Sequence, residues 1–287
     1  DLWPTTLKLI KEKSIKSFLL NSRISPKSFN KWKYLKAFFK NITDTFDEIY
    51  AQSLLDKQRL ELLTRRKINY FGNLKLTTIE KYNNKEKINL LKNKLLGSKI
   101  LMLASTHEGE EEIFINIIKK LIIKYNNLKI IIAPRHPRRS KSIVNIFKNE
   151  GIKTNIFDKS SNFTEDVFIT DTLGEMTLYY LLSDIVILGG SFIKMGGHNP
   201  IEPANNNCVV ITGPHIYNWE NVFIDMINSN ACIVCKTIDK LDQVIKNIFL
   251  NKKKEIILKR KANEFAEKNF FEIDNLILKI NNNLEKT

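Results

Sequence analysis

Three cysteines in 287 residues are too few for a disulfide framework in a protein of this size, so a reducing compartment is the default. Cys232 and Cys235 have CxxC spacing, but they sit in the apolar run Ala231-Cys-Ile-Val-Cys235. Residues three apart on a strand face opposite sides, so these thiols do not converge on a metal, and no second pair is present. No run of 18 apolar residues occurs, so no segment reads as a spanning helix, and no signal-peptide pattern is visible. The four histidines lack the i, i+4 pairing or close clustering of zinc sites, and there is no Asp-x-Asp motif. No repeat of solenoid period is present. Acidic residues are also in deficit, 31 against 46 basic, and the resulting +15 implies an anionic partner or surface.

The 43% hydrophobic content can bury a large core, and the length corresponds to one or two domains. Much of the basic excess lies near the start. Residues 1–40 hold ten Lys/Arg against Asp1 and Glu12, with Trp32, Tyr34, Phe38 and Phe39 interleaved. Nucleic acid, anionic lipid or a phosphorylated substrate each fits this stretch, as does a general compositional bias to Lys and Asn. The chain starts at Asp1, without methionine, inside what reads as an ordered segment, so it is expected to be a fragment.

Residues 1–80 carry helical patterns at Thr5–Leu20, Pro26–Phe39 and Ser53–Leu63, and strand-like pieces at Glu48–Ala51 and Ile68–Phe71. This reads as the latter part of an α/β domain. Thr77–Leu96 is polar and lysine-rich, a linker leading into the amphipathic Ile88–Leu96. From Lys99 onward, strand-like runs recur at Ile100–Ala104, Lys129–Ala133, Val167–Thr170, Ile185–Leu188, Val209–Thr212 and Cys232–Val234. Helical stretches lie between most of them: Gly109–Tyr125, Arg138–Asn149, Gly174–Leu182, Ile201–Asn206 and Trp219–Asn228, with a late helix at Lys254–Asn269. Near-continuous apolar strands alternating with amphipathic helices indicate a parallel sheet covered on both faces. The expected division is 1–80 and 81–287, the latter including a C-terminal helix.

The polar motifs of the second domain each follow a strand end: Ser105–Glu110, Pro134–Pro137, Asp171–Glu175, the long loop from Gly189, and Gly213–His215. In open parallel sheets this is the ligand-binding edge, and all four histidines (His107, His136, His198, His215) fall on it. Gly189, Gly190, Gly196 and Gly197 permit close approach of backbone N–H groups to an anion, and Ser105, Gly190, Ser191 and Gly197 are candidates for a donor loop. Arg135, between Pro134 and Pro137, offers a planar fork for phosphate. Glu202 follows Pro200 in the first turn of a helix, where it can accept hydrogen bonds from vicinal ribose hydroxyls or simply complement the helix dipole. Glu110, Glu111 and Glu112 open a helix and read as dipole partners.

Gly196-Gly-His-Asn-Pro-Ile-Glu-Pro-Ala204, Pro134-Arg-His-Pro137, Ala104-Ser-Thr-His-Glu-Gly-Glu110 and Gly213-Pro-His-Ile-Tyr-Asn218 together resemble the 3-deoxy-D-manno-octulosonic acid (Kdo) transferase family. The resemblance extends forward through Gly72-Asn-Leu-Lys75, Tyr50–Ser53 and Asn21–Ser25 to Leu2-Trp-Pro4. It implies a glycosyltransferase of the GT-B type with two Rossmann-like domains, the first, 1–80, for the acceptor and incomplete, the second, 81–287, for the donor. The implied reaction moves Kdo from CMP-Kdo to the lipid A precursor in lipopolysaccharide synthesis, with inversion, without a metal or other cofactor, and at the cytoplasmic face of the inner membrane. By the same resemblance Pro134, Arg135, Leu173, Gly174, Glu175, Asn199, Pro200, Ile201 and Glu202 line the CMP site, and Lys75 stabilises charge in the transition state. The family's general-base glutamate and its membrane anchor lie ahead of the matched region, so this fragment is expected to bind donor without transferring it. Lys194-Met195 and Asn205-Asn-Asn207 depart from the family pattern.

Two other readings remain open from the residues. Another GT-B nucleotide-sugar enzyme, a hexosaminyl transferase or an epimerase, predicts UDP in place of CMP. A basic nucleic-acid-binding protein predicts steeply salt-dependent binding, but leaves the strand-end loops without a role.

Overall fold

The computed structural model describes residues 3–74, 82–160, 162–269 and 273–285. The chain divides into two compact units, Asp1–Thr78 with Asn269–Thr287, and Ile79–Lys268. The chain's last segment, expected to belong to the second domain, groups with the first unit.

In chain order the first unit runs α1 (Pro4–Glu12), β1 (Phe18–Ser22), α2 (Pro26–Tyr34), α3 (Lys36–Thr43), β2 (Glu48–Ala51), α4 (Leu54–Thr64) and β3 (Asn69–Tyr70). The three strands are parallel in the order β1-β2-β3. Ile49 and Ala51 on β2 pack with Leu60 and Leu63 on α4 and with Ile68. Two helix starts are set locally. Ser25 accepts the Ser28 N–H ahead of Pro26, and Ser53 accepts the Asp56 N–H.

The expected helix Thr5–Leu20 is wrong in its second half. α1 ends at Glu12, Ser14 takes a left-handed φ of 52°, and Phe18–Ser22 pairs with β2 instead. The short apolar run Phe18-Leu-Leu20 fits either period, and pairing with β2 decides it. The expected Pro26–Phe39 helix is two helices, broken at Leu35, whose φ and ψ of −114° and 35° are not helical.

The second unit runs α5 (Lys85–Lys94), β4 (Lys99–Thr106), α6 (Glu110–Lys124), β5 (Leu128–Pro134), α7 (Ser140–Asn149), β6 (Thr154–Ile156), β7 (Val167–Ile169) and α8 (Met176–Leu182). It continues with β8 (Ile185–Leu188), α9 (Ile201–Asn205), β9 (Val209–Thr212), α10 (Glu220–Asn228), β10 (Ile233–Val234), α11 (Leu241–Phe249) and α12 (Lys252–Asn269). The last helix of the chain, α13 (Ile273–Glu285), follows. All six predicted strands of this unit are present, and with β6 they form a seven-stranded parallel sheet in the order β10-β9-β8-β4-β5-β7-β6. β6 went unpredicted because Thr-Asn-Ile is short and half polar, as an edge strand can be.

The sheet's sidedness follows from its apolar strands. β8 and β9 are buried at every position. On one face Leu101, Leu103, Ile130 and Ile132 pack against Phe114, Ile118 and Leu121 of α6, and Ile143 and Phe147 of α7. The strand order places β4 at the centre, with β5 on one side and β8 on the other. The chain therefore reverses its winding between β4 and β8. That reversal opens a crevice beyond the carboxyl ends of these two strands, where open α/β sheets take ligands. No helix among the described residues is long and apolar enough to cross a membrane.

Candidate functional site

The crevice between β4 and β8 is braced from beneath by two buried glutamates. Glu110, the first residue of α6, is fully buried. Its carboxylate accepts the backbone N–H groups of Gly190 (2.7 Å), His107 (3.2 Å) and Phe192 (3.4 Å). Burial raises its pKa, and the three N–H groups work against that rise. Glu111, equally buried, receives both terminal nitrogens of Arg139 (3.0 and 2.8 Å) and the Thr106 hydroxyl (2.6 Å). The expectation that these carboxylates only complement a helix dipole is thus corrected. They join the loop after β4 to the loops after β8 and β5. Nothing in a Glu-Glu-Glu run at a helix start distinguishes that role.

Two glycines are required by close backbone approach. A Cβ on Gly189 would lie 2.3 Å from the Ser105 carbonyl oxygen, and one on Gly213 would lie 2.3 Å from the Ser191 carbonyl oxygen. Ser105 itself is held at a φ of 61°, a conformation serine adopts only where its surroundings enforce it. Ser191 is fully buried, donates to the Leu188 carbonyl (2.5 Å) and accepts the Gly213 N–H (2.7 Å). Its hydroxyl is therefore a tie between the β8 and β9 loops. Gly190 and Gly197 close the loop on itself, the Gly197 N–H donating to the Gly190 carbonyl at 3.0 Å. From the β9 side, Asn218 donates to the Met195 carbonyl (2.7 Å) and Tyr217 to that of Lys194 (2.5 Å).

On the β5 side, Pro134 is buried at the strand end and Arg135 is exposed, its backbone N–H held by the Thr106 carbonyl at 2.9 Å. The Asp171–Glu175 loop presents Leu173, 82% exposed, and Gly174 at a φ of 75°. Glu175 is held by two lysines and a hydroxyl. It pairs with Lys87 at 3.2 Å and with Lys159, and the Thr172 hydroxyl donates to it at 3.0 Å. Burial opposes its ionisation, but the hydrogen bonds from Lys159, Thr172 and Lys87 prevail and bring it down to about 2. Neither lysine was predicted, since their sequence positions lie 88 and 16 residues away.

Asn199 organises the start of α9. Its side-chain amide donates to Glu202 (2.9 Å), and its carbonyl oxygen accepts the Ile201 N–H (3.0 Å). The Ile201 N–H at the expected helix N-terminus is therefore already taken, and α9 spans only five residues. Pro200 and Ile201 are buried, so they seat the turn while Glu202 is the half-buried residue that carries its charge. Lys75 lies outside the described residues. Of the histidines, His107 and His198 meet across the crevice with Nε2 atoms 2.8 Å apart, a contact no spacing announces. His215 donates its backbone N–H to Ser191 (3.0 Å).

The thiols take no part. Cys208, Cys232 and Cys235 are free and buried, and burial pushes Cys208 and Cys232 up to about 12. No group of three His, Cys, Asp or Glu among the described residues could hold a metal ion.

Comparisons with known proteins agree with this architecture. A family model described as "3-Deoxy-D-manno-octulosonic-acid transferase (kdotransferase)" matches residues 1–78. The 3-deoxy-D-manno-octulosonic acid transferase of Rickettsia bellii (strain RML369-C) is 34% identical over 84% of this chain and 58% of its own length. That of Haemophilus influenzae is 30% identical over 88% of this chain and 60% of its own. The chain thus spans less than two thirds of the length of these curated relatives. Among solved structures, the C-terminal CMP-Kdo binding domain of WaaA from Acinetobacter baumannii superposes with a TM-score of 0.59 at 24% identity, covering 63% of this chain and 96% of that one. Anabaena Alr3699/HepE in complex with UDP does so with a TM-score of 0.56 at 11% identity, covering 98% and 75%.

Two α/β units, the larger with strand-end loops gathered around a β4/β8 crevice, have the fold of the GT-B class of glycosyltransferases. Within that class the chain belongs to the Kdo transferase family.

Proposed function

We propose that this chain carries the CMP-Kdo site of a Kdo transferase, whose whole protein transfers Kdo from CMP-Kdo to the lipid A precursor. The observation that carries the reading is the placement of Arg135, Glu175 and the Asn199–Glu202 turn in the loops after β5, β7 and β8, all on one edge of a parallel sheet. That sheet has the fold of the CMP-Kdo binding domain of WaaA. In this reading Arg135 pairs with the donor phosphate. Glu202, oriented by Asn199, accepts the ribose hydroxyls. Glu175, ionised under all ordinary conditions, accepts from a polar group of the nucleotide. The loop from Gly189 to Gly197 supplies the floor, fixed by Glu110.

The chemistry is direct displacement at the anomeric carbon of Kdo. The acceptor hydroxyl loses its proton to a base, the new C–O bond forms, and the bond to the phosphate breaks with both electrons leaving on CMP. Protein groups serve that step by favouring the charge that grows on the phosphate, a task for Arg135 and Lys75. In the first unit, Tyr34 (90% exposed), Leu35 and Phe38 stand among Lys27, Lys31 and Lys33 on α2 and α3. Such a mixed basic and aromatic face suits an anionic membrane surface, where a lipid acceptor resides. The cytoplasmic face of the inner membrane is the corresponding location.

Titration with CMP and with UDP tests the donor assignment. CMP is expected to bind and UDP to bind far more weakly. The fold likeness to a UDP-bound protein makes UDP the relevant competitor, and preference for UDP would assign the site to another nucleotide-sugar enzyme.

A further inference from the structure

His107 lies on the loop after β4 and His198 on the loop after β8. Their Nε2 atoms are 2.8 Å apart, and their rings are within 8° of parallel. At that separation one nitrogen carries a hydrogen and the other offers a lone pair. The contact therefore survives in two charge states. In the neutral pair the donor ring has a bare Nδ1. In the singly protonated pair that Nδ1 gains a hydrogen, and the positive charge sits on two rings joined by the same bond. A further proton would set two N–H groups against each other and break the contact. The geometry thus describes a site for zero or one added proton, spanning the crevice at the winding reversal.

The surroundings set which state holds. From the β5 end, Arg135, His136 and Arg139 face His107, while Glu111 of α6 opposes them. Glu110 accepts the His107 backbone N–H, and Arg135 also faces His198. Burial is the main influence on both rings and the cationic neighbours add to it, so His107 falls below its ordinary value and His198 falls to about 4. Near neutrality the pair is uncharged. An anion placed beside Arg135 offsets the cations and favours the protonated pair.

We propose that the His107–His198 pair takes up one proton from solvent when the donor phosphate binds, and returns it when the nucleotide leaves. The inference rests on the reading of this edge as the donor site. The gained charge then stands on the loops that flank the phosphate, at the moment the leaving group becomes more negative. Both histidines act here as positioning residues for charge.

The probe is the methyl ester of cytidine 5′-monophosphate, whose phosphodiester does not titrate near neutrality. The full chain is titrated with it calorimetrically at about pH 7.5, in two buffers of different ionisation heat. Uptake approaching one proton per bound ligand is expected, with affinity rising as pH falls, by at most about tenfold per pH unit. His107→Gln and His198→Gln should each bind with heats independent of buffer. In the unsubstituted chain, histidine ring ¹⁵N shifts should move toward the cationic form on saturation, a readout that stands even if a variant fails to fold. Binding with equal heats in both buffers, or proton uptake that persists in both variants, overturns the proposal while leaving the donor reading intact. Absence of binding overturns the donor reading, and this inference with it.

Discussion

The Glu110 carboxylate accepts the Gly190 backbone N–H at 2.7 Å, and through that bond the start of α6 fixes the loop after β8. Because Glu110 is fully buried, its loss leaves three N–H groups without their acceptor. Glu110→Ala is expected to cost about 1–3 kcal/mol per group left unsatisfied, and to weaken CMP binding through the displaced loop. Glu110→Gln keeps one oxygen acceptor and should cost less. Urea denaturation of the two variants measures the difference, and equal stabilities would remove Glu110 from its bracing role.

Arg139 and Glu111 form the second brace, with Glu111 fully enclosed and Arg139 largely so. Removing one partner strands the other charge, so Arg139→Ala should destabilise the second unit by about 3–5 kcal/mol. Arg139→Met with Glu111→Leu, which removes both charges, should recover part of that loss. A double-mutant cycle by chemical denaturation reports it. If the double variant were no more stable than Arg139→Ala alone, the stranded-charge account would fail.

How much of this was readable from sequence depends on how locally each feature is encoded. The seven-stranded sheet was largely legible, because runs such as Ile185-Val-Ile-Leu188 are too apolar and β-branched to sit anywhere but a covered sheet. The polar motifs at the strand ends were legible with it, because each follows an apolar run directly. The Phe18–Ser22 strand was not legible, since three apolar residues carry no period and the pairing with β2 that decides them is nonlocal. The site divided in the same way. Asn199 and Glu202 are three residues apart and their contact follows from a single turn. Lys159 on Glu175, His107 on His198 and Glu110 on Gly190 depend on how the sheet orders its strands. The Ser191 tie is of the same kind: its partner, the Gly213 N–H, belongs to the neighbouring strand's loop.

Glu175 gives the edge a pH dependence with a defined sign. Its pKa is about 2 against an ordinary 4.5, because Lys159, Thr172 and Lys87 favour the charged form. A carboxylate depressed on folding contributes stability above its ordinary value, and that contribution is lost as pH falls from about 4.5 toward 2. Glu175→Gln should therefore be less stable than the parent at neutral pH and converge with it in acid. Thermal melts between those limits test this, and a constant gap across the range would contradict it.

Gly189 and Gly174 should respond differently to alanine. A Cβ at Gly189 meets the Ser105 carbonyl at 2.3 Å, so the β4 and β8 loops must part, at a cost of about 1–3 kcal/mol and with loss of CMP binding. At Gly174 nothing lies within 4 Å, and the penalty is only that of a φ of 75°, about 1–2 kcal/mol. Denaturation midpoints and CMP titrations on both variants separate the effects. Gly174→Ala retaining CMP affinity while Gly189→Ala loses it is the expected pattern, and the reverse would move the nucleotide off the β4/β8 crevice.

Asn199 and Glu202 carry the sharpest test of the nucleotide's orientation. Asn199 holds one carboxylate oxygen of Glu202 at 2.9 Å and spends its own oxygen on the Ile201 N–H, so Glu202 is fixed in a single turn. If that carboxylate accepts the ribose hydroxyls, Glu202→Gln should weaken CMP by roughly 1.5–3 kcal/mol, or about 10- to 100-fold, the worth of a hydrogen bond to a charged group. The same substitution should leave 2′,3′-dideoxy-CMP binding nearly unchanged, because that ligand has no hydroxyls to lose. Arg135→Ala should weaken both ligands alike, since both keep the phosphate. Equal sensitivity of CMP and its dideoxy form to Glu202→Gln would place the ribose elsewhere and leave Glu202 with no role toward its hydroxyls.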